Sequence, residues 1–391
     1  MSNQRFKVQK LLFNNGHEEV FLDLLNISKE NDQLLRNIRT KVRTALRKGF
    51  SLIRNSHTDS PELTYISQLH PKFWTQGSYA YKTMNTPCCT PPQQIDLDDG
   101  VYFPMVFAEN NPRAASRLIF KVVDGILKEL AKSEGWEFND QKETCVRLNI
   151  NEHIHLDVPI YAIPEERYAA LTESMTVNDS KTFSMDSSLY LDKDQIYLAK
   201  RGMDCWVQSD PMLIHQWFVN STRLHSERLR RVCRYIKAWR DYTWQNGGGP
   251  SSIALMAAVT ETFNDNLNST SQSFSSDCEA LLAVTKALPE QFKAGIANPT
   301  EQEILLYPLG QSDNEQADIL SELETLEGKI ENGLCSSKSK ADVIIALQES
   351  FGNRIPDKID LIEHISAADS IRNVPVQKQP KPVTPATQRS A

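Results

Sequence analysis

The chain lacks any apolar run of about eighteen residues, so its sequence offers no helix able to span a membrane. Its opening, Met1-Ser2-Asn3-Gln4-Arg5-Phe6, lacks the apolar core of a secretion signal. There is no Cys-x-x-Cys pair and no close Cys/His group among the cysteines at 88, 89, 145, 205, 233, 278 and 335. That excludes an obvious zinc site, and the odd number suits the reduced thiols of a cytoplasmic protein. Positive charge is in short supply: 43 Lys and Arg stand against 50 Asp and Glu, for a net charge of -7. A protein that coats nucleic acid through bulk charge is thereby disfavoured, although a local basic groove stays open to it. No internal repeat is visible. What is present is 391 residues, 40% hydrophobic and 24% charged, the profile of a globular chain with two domains or one bilobal enzyme.

Periodicity places the elements. Leu35, Ile38, Val42 and Leu46 recur at helical spacing, which predicts a helix over 28–49. Arg36, Arg39, Arg43 and Arg47 run along its other side as a solvated basic face or an anion surface. Residues 95–104 read as a strand. A helix over 113–132 follows Pro112, with Leu118, Val122, Ile126 and Leu130 as its apolar stripe. Two alternating runs, 144–150 and 153–163, flank a tight turn at Asn151-Glu152. In the second, Ile154, Leu156, Val158 and Ile160 share one face, while His153, His155 and Asp157 share the other. The second half is mostly helical. Its clearest helix covers 222–244, and most of its basic residues are expected on a solvated face. Gly247-Gly248-Gly249-Pro250 stops it, and Ser251-Ser252 can cap the next. Further helices are expected near 278–287, 315–332 and 338–350. From Asn373 onward, prolines among polar residues predict a disordered tail over 373–391.

The most chemical stretch is Gly77-Ser78-Tyr79-Ala80-Tyr81, followed by Ile95-Asp96-Leu97-Asp98-Asp99-Gly100 and later by Leu156-Asp157-Val158. Acids at i and i+2 of a strand point to one face. Asp157 joins them if the strands are neighbours. Three gathered carboxylates repel one another, and divalent cations remove that penalty. Magnesium takes hard oxygen ligands and bridges carboxylates to phosphates. Two such ions can activate a sugar hydroxyl and stabilise leaving pyrophosphate. Asp96 and Asp98 are therefore expected to bind both ions, and Asp157 the ion beside an attacking 3'-hydroxyl. Ser78, with the small-residue backbone of Gly77, is the candidate for a triphosphate, or alternatively a helix cap. Gln76 is placed to bind phosphate or metal-bound water. Tyr81 is either a base platform or a core tyrosine, and Lys237 is placed to neutralise phosphates. His153 and His155 flank Asp157 on its strand face and are expected to be structural, with support of the acids from just outside the metal site as the alternative.

Phe73-Trp74-Thr75-Gln76-Gly77-Ser78, Asp96 to Gly100 and Leu156 to Pro164 together resemble the bacterial cGAS/DncV-like nucleotidyltransferases, the CD-NTases. The resemblance continues in Ser209-Asp210-Pro211, in Val232 to Asp241, in Gly248 to Ser252 and in Phe351-Gly352-Asn353-Arg354. It is closest to the DncV-type cyclic GMP-AMP synthase branch. It implies an α+β fold, with a polymerase beta-like nucleotidyltransferase catalytic lobe on a mixed sheet and a helical C-terminal lobe. The lobes are expected over 1–200 and 201–372. The resemblance assigns Asp96, Asp98 and Asp157 to metal and catalysis. It assigns Gln76, Ser78, Tyr81, Arg147, Ser209, Lys237 and Ser252 to nucleotide contacts. An acidic base contact falls ambiguously on Glu301, Gln302 or Glu303. The residues up to about 65 match poorly.

The implied activity is a synthesis of 3',3'-cyclic GMP-AMP from ATP and GTP that depends on two Mg2+ ions, with Mn2+ as the alternative, as a second messenger of antiphage (CBASS) defence. Its implied partner is an effector such as a phospholipase that responds to the product. A ubiquitin-like conjugation enzyme acting on Ala391 is a further implied partner, against an ordinary frayed terminus. With no Cys/His insertion, activation by DNA is not expected. The alternatives are another cyclic di- or trinucleotide, an RNA 3'-end nucleotidyltransferase, or a scaffold that has kept the fold without the chemistry.

Overall fold

A computed structural model describes residues 5–16, 19–55, 66–105, 112–177, 196–202 and 205–365. The expected tail, 373–391, lies outside them. The strands are β1 (Phe6–Lys7), β2 (Lys72–Gln76), β3 (Ile95–Pro104), β4 (Glu137–Asn139), β5 (Cys145–Asn151), β6 (Ile154–Ile163), β7 (Tyr197–Lys200), β8 (Cys205–Gln208), β9 (Ile296–Asn298), β10 (Glu301–Tyr307) and β11 (Glu363–His364). The main sheet runs β2-β3-β6-β5-β4, and β7 and β8 continue from the far end of β6. The β3–β6 pair is parallel and the other pairs of this sheet are antiparallel, so the sheet is mixed.

One face of that sheet is apolar because every second residue is, with Asp99 of β3 the exception, neutralised by Arg43 of the covering helix. Leu97 and Val101 of β3, with Leu156, Val158 and Ile160 of β6, are fully buried. Helices Lys29–Asn55 and Pro112–Glu134 cover them, through Leu35, Ile38, Val42, Leu46, Ile119, Val123 and Leu127. Each such side chain contributes about 1.5–3 kcal/mol. The alternation leaves Asp96, Asp98, His155 and Asp157 on the opposite face, towards the helical lobe.

The second helix carries a correction. Its fully buried stripe is Ile119, Val123, Leu127 and Ala131, one position on from the stripe expected. Leu118, Val122, Ile126 and Leu130 are only partly buried. They pack sideways, for Ile126 fills the space where Gly49 of the long helix has no side chain.

A second core is helical: Glu227–Thr243, Ser252–Thr270, Asp277–Ala294, Asp313–Glu331 and Lys340–Phe351 pack together. The expected helix over 222–244 is two helices, Pro211–His225 and Glu227–Thr243. They break at Ser226, which has a φ of 66° and accepts from the Arg228 N–H. Phe6, Leu11, Leu12, Phe21 and Leu25 also belong to this core, and β1 pairs with β11. The N-terminal segment thus packs with the helical lobe, apart from the sheet that follows it, because its apolar residues find their partners there. Among the described residues, no helix is long and apolar enough to cross a membrane.

The basic residues expected on solvated faces are largely engaged. Arg43 bonds both carboxylate oxygens of buried Asp99, at 2.7 and 2.5 Å, and Arg39 donates to Thr75 at 3.1 Å. Arg228 and Arg231 both grip Asp277, which is fully buried. Arg234 donates to Asn85 and Asn26.

Candidate active site

Between the lobes lies a cavity of about 800 Å³. The β2–helix junction supplies its floor. Gly77 adopts φ +63°, a left-handed conformation that side chains disfavour. A Cβ there would stand 2.0 Å from Asp98 Oδ2. Glycine therefore lets the backbone of the Gly77–Tyr81 turn lie directly against the Asp98 carboxylate. Ser78 and Tyr81 line the cavity beside it. The Tyr81 ring packs 5.7 Å from His215 and 5.8 Å from Phe218, and burial raises the pKa of its hydroxyl. Both roles considered for Tyr81 are compatible with that position, since one side is core and the other faces the cavity.

Strand register brings the acids together. Asp98 of β3 stands opposite Asp157 of β6, and Asp96 stands opposite His155. Ligand atoms of Asp96, His155 and Asp157 lie within 4.8 Å of one another. Burial, reinforced by the charges of Asp96 and Asp157, holds the Asp98 carboxyl well above the ordinary carboxylate range. That is the penalty a cation relieves. Asp157 is half-buried, and Arg147 on β5 grips both its oxygens, at 2.6 and 2.7 Å. Arg147 is not on the cavity wall. Its guanidinium orients Asp157 from behind, and that hydrogen bond raises its own pKa.

Gln76 is the clearest departure from expectation. It is buried, and its amide donates to the Tyr102 hydroxyl and accepts from Tyr161 at 3.2 Å. The two tyrosine rings stack 4.9 Å apart. With both ends spent in the interior, Gln76 anchors the turn that presents Gly77 and Ser78 and does not line the cavity.

The helical lobe closes the other side. Lys237, buried in the Glu227–Thr243 helix, donates to the Thr83 carbonyl at 2.8 Å, and burial lowers its pKa to about 8. Ser251 caps the Ser252–Thr270 helix by accepting from the Ala254 N–H, as the sequence suggests. Ser252 accepts from Arg240 at 2.9 Å, and Arg240 also pairs with Asp241. Ser209 and Asp210 reach the cavity just ahead of the Pro211–His225 helix. Asp210 caps that helix and pairs with the buried Arg167 at 3.0 Å.

Sequence reasoning undervalued or missed several contributors. His155 sits in the acid cluster, although it was expected to be structural. Arg240 and Asp241 lie on the cavity wall, inside a helix whose many arginines gave them no distinction. The β9–β10 hairpin roofs the cavity with Asn298, Thr300, Glu301 and Ile304. Of the three ambiguous residues, Glu301 is the one that faces it.

A mixed sheet presenting adjacent strand acids against a Gly-Ser turn, beneath a helical lobe, defines a nucleotidyltransferase. A family profile described as the nucleotidyltransferase domain of DncV-like cyclic GMP-AMP synthases matches residues 71–161, and one for the C-terminal domain of cyclic GMP-AMP synthase matches 226–364. The chain is 37% identical over 305 residues to a cyclic GMP-AMP synthase of Vibrio cholerae serotype O1, covering 73% of this chain and 68% of the relative. It is 35% identical over 330 residues to one of Escherichia coli, covering 80% and 74%. The crystal structure of the Vibrio cholerae DncV cyclic AMP-GMP synthase in complex with the linear intermediate 5' pppA(3',5')pG superposes with a TM-score of 0.77 at 30% identity, covering 93% of this chain and 100% of that one. The structure of that enzyme with GTP and 5MTHFGLU2 also gives a TM-score of 0.77 at 30% identity, covering 92% of this chain and 99% of the other. The chain belongs to the DncV-like cyclic GMP-AMP synthase family, and it is a nucleotidyltransferase that makes a cyclic dinucleotide.

Proposed function

We propose that the protein joins ATP and GTP into 3',3'-cyclic GMP-AMP with the help of two Mg2+ ions. The observation that carries this reading is the register of Asp98 against Asp157 and of Asp96 against His155, next to a glycine turn pressed onto Asp98. The donor set fits a divalent cation: ligand atoms of Asp96 and Asp157 stand within reach of one ion, and the Asp98 carboxyl, held above the ordinary carboxylate range by burial and then by its acidic neighbours, is on the same face of the sheet. When bound, such ions neutralise the triphosphate and acidify the attacking hydroxyl.

The chain's own residues do the rest. Ser78 and the Lys237 ammonium hold the donor triphosphate from opposite walls. Ser209 and Ser252 steady the nucleotides, and Tyr81 offers a ring face for a base. Glu301 on the hairpin is the acidic acceptor for base N–H groups. Arg147 fixes Asp157, and Asp157 orients the acceptor 3'-hydroxyl and takes its proton. The hydroxyl oxygen bonds to the α-phosphorus of the donor, and pyrophosphate leaves. The linear product then turns round, and the same atoms close the ring. The cyclic product would act as an antiphage second messenger read by an effector such as a phospholipase. Conjugation through Ala391 concerns a residue outside those described.

The test is incubation of the protein with ATP, GTP and Mg2+, followed by mass spectrometry. The expected product is cyclic GMP-AMP, preceded by a linear dinucleotide triphosphate. A parallel reaction with an RNA primer separates the rival activity: primer extension without a cyclic product would replace this reading.

A further inference from the structure

His155 has no part in the scheme above, yet it stands in the middle of the acids. It is 7% exposed and is the register partner of Asp96. Its Nδ1 lies 3.0 Å from Gln94 Oε1. The Gln94 amide nitrogen donates to the carbonyls of Asn151 and Glu152, both at 3.2 Å. With its donors spent on the β5–β6 turn, Gln94 offers the ring only an acceptor, so Nδ1 carries the hydrogen. In the neutral ring Nε2 is then a bare lone pair. Asp96 Oδ1, another acceptor, is 2.8 Å away. Nε2 is buried and makes no well-aligned hydrogen bond, although a protonated ring at this 2.8 Å distance would pair with the Asp96 carboxylate and favour its charged form. Two acceptors facing each other, with an outer amide fixing the distal ring nitrogen, is an arrangement that a cation between them resolves.

We infer that His155 supplies Nε2 as a ligand to a cation shared with Asp96 and Asp157, so that this one of the two ion positions takes a transition-metal ion such as Mn2+ more tightly than Mg2+. The inference rests on the metal-site reading above and extends it. Magnesium takes oxygen ligands almost exclusively, whereas imidazole suits first-row transition ions. The carboxylates alone favour neither so strongly. Gln94 is then a positioning residue, holding the tautomer that leaves Nε2 free.

The experiment uses the full chain and Mn2+ alone, with no nucleotide present to contribute nitrogen. Electron spin echo modulation of bound Mn2+ is expected to show an imidazole nitrogen, and His155→Gln is expected to remove it. Mn2+ affinity is expected to fall by more than about tenfold in that variant, since losing even an outer partner of a metal-bound histidine costs at least that much, with a smaller change for Mg2+. An oxygen-only shell around bound Mn2+, a nitrogen signal that survives His155→Gln, or a chain that binds no Mn2+ would each overturn the inference. An oxygen-only shell would leave His155 as an imidazolium donating to Asp96. Should the variant fail to fold, the wild-type spectrum alone decides. The readout needs no product, so it separates the two readings. Nitrogen-ligated Mn2+ without cyclic product faults the nucleotidyl-transfer scheme, and cyclic product with oxygen-only Mn2+ faults the role of His155.

Discussion

Replacing Gly77 with alanine isolates what the turn does for catalysis. The left-handed φ of +63° costs an alanine about 1–2 kcal/mol, partly offset by the stiffer unfolded chain. Net destabilisation should therefore be about 1 kcal/mol, a small shift in melting temperature for a chain of this size. The larger effect is local. The new Cβ would lie 2.0 Å from Asp98 Oδ2 and 3.0 Å from Asp98 Cγ. The carboxylate must retreat by about 1 Å, and a misplacement of that size costs about a hundredfold in rate. The assay pairs thermal unfolding with initial rates of cyclic product formation. Gly125→Ala is the control, because Gly125 is exposed on the Pro112–Glu134 helix with nothing within 4 Å of the added Cβ. It should stabilise the fold by about 0.5–1 kcal/mol without touching the rate. A Gly77→Ala enzyme that folds and turns over at the wild-type rate would refute the argument that this glycine presses the backbone onto Asp98.

Three further outcomes are expected. The raised pKa of Asp98 means that the fold favours its neutral form, a contribution fully present below the unfolded pKa of about 3.9 and lost as pH rises through the folded value. Asp98→Asn should therefore be more stable than wild type at pH 7 in chelator, with the gap closing in acid, as chemical denaturation would show. Lys237 titrates at about 8, so the cost of its buried charge is full below that pH and lifts as pH rises towards the ordinary lysine value of about 10.4. Triphosphate binding needs the ammonium, so equilibrium affinity should weaken above about pH 8, and Lys237→Met should be weaker at pH 7 and flat across that range. Arg167→Met strands the buried Asp210 and should cost about 3–5 kcal/mol, whereas Arg36→Met, at an exposed pair with Asp32, should cost less than about 1 kcal/mol by the same denaturation assay.

Much of the site can be read in the chain because strand alternation is strict. Once β3 and β6 are recognised, the faces of Asp96, Asp98 and Asp157 follow, and only their adjacency needs coordinates. The caps were equally readable, since Ser251 after a glycine run announces a helix start. Side chains whose partners lie far along the chain were not. Gln76 turns inward because Tyr102 and Tyr161, from two other strands, meet its amide. The arginines of the Glu227–Thr243 helix look solvated in sequence, but Asp277 and Asn85 wait for them from distant segments. The break at Ser226 carries no glycine or proline to mark it. His155 looked structural because its relation to Asp96 depends on which strands are neighbours, and on Gln94 holding its far nitrogen.

The central claim is that the carboxylates of β3 and β6 act together on a nucleotide. Its most direct measurement is product formation by Asp96→Asn beside wild type, from ATP, GTP and Mg2+, with melting curves of both. The expected result is loss of cyclic and linear products alike in a protein that still unfolds cooperatively but melts somewhat below wild type, because against the cost of burial His155 and Arg147 favour the charged form of Asp96. Undiminished cyclic product from the folded Asp96→Asn protein would contradict it.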